Sequence, residues 1–164
     1  MKWIDDFEAH YDYDCSYIRE MAKSSPDGFK TFEGFLPMGS YSKTLSKNEL
    51  WVAKISSMLT EDCGACVQLN IKMAIEAGVD ISLIKTIIQA PENLEDDLQL
   101  IYEFAKSVSL GSETFTDLQA QVSKKYSSEQ LTEMAIAISS VKIYPTIKRA
   151  LGYFKSCSLY TYTF

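Results

Sequence analysis

Thr60-Glu61-Asp62-Cys63-Gly64-Ala65-Cys66-Val67-Gln68-Leu69-Asn70 is the stretch on which the reading of this chain turns. From Cys66 onward a stripe of Leu69, Asn70, Met73, Ala74 and Ala77 recurs three and four residues apart, the spacing of one helical face. Gly78 ends it, as suits a left-handed C-terminal cap. The spacing predicts a helix that begins at Asp62-Cys63. A Cys-x-x-Cys there puts the first sulfur beside amide N–H groups that lack a partner within the helix, which favours a thiolate, and the second one turn on, near enough for a disulfide. Gly64 keeps the first turn open. Glu61 and Asp62 add negative charge next to the sulfur and oppose its ionisation.

Helical spacing extends outward in both directions, and no convincing strand pair interrupts it. Upstream, Trp3, Phe7 and Tyr11 mark a first short helix, and Tyr17, Ile18, Met21 and Ala22 a second. Ser25-Pro26 reads as an N-cap followed by a first-turn proline, opening a segment with Phe29, Phe32 and Leu36 on one side that stops at Pro37. Ser46-Lys47-Asn48-Glu49 reads as a capping box and predicts a helix to about Leu59. Downstream, Asp80 caps a short apolar helix ended by Pro91. Asn93 caps another, with Glu95, Asp96 and Asp97 in its first turn, where the helix dipole favours negative charge. Thr114 starts a helix through Leu118 and Val122. Ser127-Ser128-Glu129-Gln130 forms a second capping box, opening a long helix that Pro145 is expected to kink or restart.

These segments make one all-α domain of 164 residues: an N-terminal helical flank over 1–45, a core over 46–156 and a tail over 157–164. Scaling predicts roughly 69% of the unfolded surface to be buried at this length, so neither disulfides nor a structural metal is needed to hold the core. Hydrophobic residues make up 46% and aromatic residues 12%, which excludes a disordered chain. The net charge of −6 argues against nucleic-acid and anionic-membrane binding. The opening Met1-Lys2-Trp3-Ile4-Asp5-Asp6 is unlike a secretory leader. No apolar run is long enough for a membrane span. The expectation is a cytoplasmic protein, and in that reducing compartment Cys15, Cys63, Cys66 and Cys157 are not a structural disulfide framework.

Two inert buried thiols are the bland alternative for Cys63 and Cys66. Zinc is disfavoured because Cys15, Cys157 and the single histidine, His10, are scattered through the sequence. Redox chemistry is the third reading. The aromatic start, with Trp3, Phe7, Tyr11, Tyr13, Tyr17, Phe29, Phe32 and Phe35, is suited to roof an apolar pocket. Lys142, Lys148, Arg149 and Lys155 read as a solvated face near a helix end. Gln68 is expected to face solvent or a neighbouring subunit, and the aromatic tail Leu159-Tyr160-Thr161-Tyr162-Thr163-Phe164 to pack on a neighbouring subunit.

The stretch from Leu59 to Gly78, with Asp62-Cys63-Gly64-Ala65-Cys66 leading a helix, resembles the AhpD-like, carboxymuconolactone decarboxylase-like superfamily of all-helical proteins. The resemblance runs from Tyr11-Asp12-Tyr13-Asp14-Cys15-Ser16-Tyr17 through Ala77-Gly78-Val79-Asp80 to Val141-Lys142-Ile143-Tyr144-Pro145-Thr146-Ile147-Lys148-Arg149-Ala150-Leu151-Gly152. It implies an alkylhydroperoxidase-type dithiol without a bound cofactor. One thiolate attacks a hydroperoxide to give a sulfenic acid, and the other cysteine resolves it to a disulfide. The family's relay glutamate, twelve residues before the first cysteine, and its histidine, four after the second, correspond to Trp51 and Asn70.

The candidate catalytic residues are therefore Cys63, Cys66, Glu61 and Asn70. Cys63, at the helix start, is the expected nucleophile. Asn70 can hydrogen-bond a sulfur or water, and Glu61 is a carboxylate nearer to Cys63 than Glu49. Glu49 could substitute in the relay but suits its capping box better. The expected partners are copies of the chain in a homo-oligomer, a small hydroperoxide and a thiol or dithiol reductant. Two other functions fit the same residues: a non-enzymatic oligomeric or small-molecule-binding protein that lost the relay, and a carboxymuconolactone decarboxylase-type lyase that does not need the dithiol.

Overall fold

A computed structural model describes residues 1–153 and 161–164, and all regular structure among them is helical. Phe154, Lys155, Cys157, Leu159 and Tyr160 lie outside the described residues, as does the expected boundary between core and tail. The flank folds as α1 (Lys2–Tyr11), α2 (Ser16–Ser24), α3 (Pro26–Glu33) and α4 (Leu36–Ser40). Ser25 caps α3, its hydroxyl accepting the Gly28 amide at 3.3 Å. Pro37 does not close the third segment but sits in the first turn of α4. A proline is tolerated there because its missing N–H has no partner at that position in any helix.

The core comprises α5 (Lys47–Leu59), α6 (Gly64–Glu76), α7 (Ile81–Gln89), α8 (Asp96–Leu110), α9 (Phe115–Lys125) and α10 (Ser128–Ala150). A full capping box opens α5: Ser46 Oγ accepts the Glu49 amide at 3.3 Å and Glu49 Oε2 accepts the Ser46 amide at 2.8 Å. Every residue of α5 from Leu50 to Met58 is buried. A helix buried on all sides is central, and α5 packs against α6, α7, α8 and α10. Its serines satisfy themselves: the Ser57 hydroxyl donates to the Ala53 carbonyl at 2.8 Å, and that of Ser56 to Val52.

Two expectations change. Asn93 does not cap α8; Pro91–Asn93 forms a single 3-10 turn that places Leu94 in the core, and Glu95 precedes the helix. The second concerns α10, which continues as one helix through Pro145. The proline removes one backbone bond, yet the helix does not restart there, and Ile143, Tyr144 and Ile147 on either side pack on the flank.

Near the start of α10, the buried carboxylate of Glu133 ties the link between α4 and α5 to the core. It accepts the amides of Lys43 at 2.9 Å, Thr44 at 2.6 Å and Leu45 at 3.3 Å, and the Thr44 hydroxyl at 2.8 Å. Burial alone raises its pKa, but these donors outweigh burial and hold the carboxyl below its usual range.

Two apolar clusters result. One surrounds α5 and draws on α6 to α10; the other joins the flank to Ala65, Leu69, Ile143, Tyr144 and Ile147. No helix among the described residues is long and apolar enough to cross a membrane.

Candidate functional site

The seam between the two clusters holds a cavity of about 300 Å³. From the flank, Trp3, Phe7, Tyr13 and Tyr17 line it; from the core, Trp51 and Met58 of α5 do so. Phe29 and Phe32 pack within the flank instead, and Phe35 is exposed. The aromatic start therefore divides between wall and support.

Cys63 and Cys66 are joined by a disulfide with their Cα atoms 5.2 Å apart. The chain reaches them through a turn after α5 in which Asp62 takes a left-handed conformation with φ 48°, a region that aspartate tolerates better than most side chains. Cys63 is the residue before the first turn of α6 and Cys66 lies within it. Both sulfurs are shielded, the residues being 4% and 1% exposed, but Cys66 lines the cavity and Cys63 does not. The position at the helix start thus favours Cys63, whereas access from the cavity favours Cys66.

Tyr13, in the turn between α1 and α2, places its hydroxyl 3.7 Å from Cys66 Sγ. A disulfide sulfur carries no proton, so the phenol is the donor. Burial pushes the Tyr13 phenol upward, and it stays a neutral O–H donor through the physiological range. Behind it, Lys148 Nζ lies 3.4 Å from the same oxygen and 4.7 Å from the centre of the ring. Lys148 is buried, not part of a solvated face. A sulfur, a phenol and an ammonium therefore run in sequence from the cavity wall into α10.

Glu61 points elsewhere. Its carboxylate bridges Lys142 Nζ at 2.8 Å and Arg149 Nη2 at 2.6 Å. Burial favours its neutral form, but the two cations more than offset this and hold the carboxyl below its usual range. These contacts offset its charge, and Asp62 is exposed, so charge opposition to a Cys66 thiolate is weaker than adjacency in sequence suggests. Asn70 lines the cavity but donates its amide to the Cys66 carbonyl at 2.9 Å and not to a sulfur. Gln68 does not face solvent but is buried against its own chain: it donates to the Thr163 carbonyl at 2.8 Å and accepts the Thr163 amide at 2.9 Å. The described end of the tail consequently packs on its own chain, where Phe164 meets the core and stacks under Lys85. His10 sits outside the cavity, 3.1 Å from Glu76 on the surface. Cys15 is also buried, and burial, followed by the charge of Glu8, pushes its thiol up to about 11. It remains protonated.

Sequence reasoning passed over Lys54. This α5 lysine is 4% exposed, lines the cavity, donates to the Gly39 carbonyl at 2.6 Å and lies 4.7 Å from the centre of the Trp51 ring. Burial pulls its pKa down to about 8, and the charge of Glu133 counteracts this in part. Its signal in the sequence is a lysine in the otherwise apolar turn Trp51-Val52-Ala53-Lys54-Ile55. Comparison with protein-family models, with curated proteins and with solved structures found no match to this chain.

Proposed function

We propose that this chain is an AhpD-like, thiol-dependent oxidoreductase that reduces an organic hydroperoxide through a dithiol–disulfide cycle of Cys63 and Cys66. The observation that carries the reading is the meeting of Cys66 Sγ, the Tyr13 hydroxyl and an apolar cavity at one point. Trp51 and Asn70, at the two positions where the resemblance implies relay residues, line the same cavity and support it further. In this reading the cycle runs in the cytoplasm of the cell, in a homo-oligomer.

In the reduced protein, the Cys66 thiolate attacks the terminal oxygen of the hydroperoxide. The O–O bond breaks, and the leaving alkoxide takes a proton from Tyr13, which recovers one from the Lys148 ammonium; Lys148 is reprotonated from water, to which the Cys66 thiol gave its proton. Cys66 becomes a sulfenic acid. The Cys63 thiol then attacks that sulfur, forming the disulfide and releasing water. Dithiol and hydroperoxide are thereby converted to disulfide, alcohol and water. An external dithiol restores the pair and is itself oxidised to a disulfide. The proton path replaces the implied glutamate–histidine relay with a phenol and an ammonium. A path of this kind contributes roughly 10²–10⁴-fold to a rate.

Treating the reduced protein with one equivalent of cumene hydroperoxide tests the reading. Peptide mass spectrometry is expected to show the loss of two hydrogens mapped to Cys63 and Cys66, with one equivalent of cumyl alcohol released. Intact thiols overturn it and leave the non-enzymatic binding protein, which the burial of both sulfurs favours.

A further inference from the structure

We propose that the cavity binds an organic carboxylate, with its apolar body among the aromatic walls and its anionic end on the Lys54 ammonium. An ammonium has three donors, and among the described residues the Gly39 carbonyl is the hydrogen-bond acceptor that Lys54 reaches. No carboxylate among those residues comes within ion-pairing distance of it. Glu133, the acid that acts on Lys54 electrostatically, spends its oxygens on Lys43, Thr44 and Leu45. A buried lysine charge is costly unless paired, and beyond the Gly39 carbonyl and the face of Trp51 this lysine borders the cavity.

The remaining wall is mostly hydrocarbon and aromatic, with Trp3, Phe7, Leu69 and Met73 among the lining residues and Ser40, Asn70 and Ser140 as its few polar side chains. Small-molecule sites of roughly 300–1,000 Å³ combine such walls with a few polar groups that fix orientation. The cavity, at about 300 Å³, suits a medium-sized monoanion. A carboxylate fits the single point charge, because its one negative charge is balanced by one ammonium, whereas a phosphate monoester carries about −1.5 to −2 at pH 7. If the dithiol reading holds, the substrate class narrows to hydroperoxides of apolar carboxylic acids; the anion site itself does not depend on that reading.

Trp3 and Trp51 are the two tryptophans of the chain and both line the cavity, so intrinsic fluorescence reports its occupancy. Octanoate and 1-octanol, titrated separately into the disulfide form at pH 7, share an eight-carbon chain and differ in charge. Octanoate is expected to bind at least tenfold tighter than octanol, and Lys54→Met to bring the ratio to twofold or less while octanol affinity stays within twofold. Equal or tighter octanol binding to the unaltered protein overturns the proposal, whatever becomes of the variant. A folded Lys54→Met protein that keeps the preference also overturns it. Both titrations use oxidised protein, so failure of the dithiol cycle leaves the outcome unaffected.

Discussion

The Tyr13 hydroxyl stands between the Cys66 sulfur, at 3.7 Å, and the Lys148 ammonium, at 3.4 Å. Residues 53 and 82 positions away from Cys66 in the chain thus converge at and behind one wall of the cavity. Tyr13→Phe keeps the ring and its packing and removes the one proton that can pass along this line. We expect oxidation of the reduced pair by cumene hydroperoxide to slow by roughly 10²-fold, with little change in thermal stability. Rapid-quench alkylation of free thiols measures the rate. An unaltered rate removes Tyr13 from the proton path.

Glu61 is expected to act through stability. Glu61→Gln leaves Lys142 and Arg149 without their shared carboxylate, and because both cations are partly exposed the cost is about 1–2 kcal/mol at pH 7. Its carboxyl is held below the ordinary range in the folded state, so the contribution is present above pH about 4.5 and is lost as pH falls through the lower folded value. Urea unfolding of both proteins at several pH values checks this. The gap between them is expected to close in acid, and a gap independent of pH contradicts the assignment.

Lys54 shifts stability in the same direction with pH but for the opposite reason, because burial disfavours its charged form. Its folded pKa, about 8, lies below its ordinary 10.5, so the unfolded chain binds the extra proton between these values. Wild-type stability therefore gains on that of Lys54→Met as pH rises from 7.5 to 9.5, by about 1–2 kcal/mol. Taking the difference between the two proteins removes the contributions of Cys15 and the tyrosines, which titrate alike in both. A constant difference across this range contradicts a buried ammonium.

The helical architecture was legible from spacing and caps: Ser46/Glu49 and Ser127/Gln130 close the boxes that their letters announce. Punctuation failed where tertiary contacts override local preference, as at Pro145, where the helix runs on and packs on the flank, and at Asn93, where burial of Leu94 draws the chain into a 3-10 turn. At the site, the nearness of Cys63 and Cys66 follows from three-residue spacing, but their environment does not. Which sulfur meets the cavity depends on the left-handed turn at Asp62 and on the flank laid across α6. Lys142, Lys148 and Arg149 share one stretch of helix, yet one serves Tyr13 and two serve Glu61, a division set by partners distant in sequence. Lys54 went unread because a lone lysine within an apolar helix gives no sign of what volume lies beside it.

The most direct test separates the sulfurs. Reduced Cys63→Ser and Cys66→Ser proteins are each exposed to cumene hydroperoxide with dimedone, which traps sulfenic acids, and the adducts are mapped by mass spectrometry. The account predicts an adduct on Cys66 in Cys63→Ser and none on Cys63 in Cys66→Ser. An adduct forming on Cys63 as fast as or faster than on Cys66, or no adduct in either protein, contradicts it.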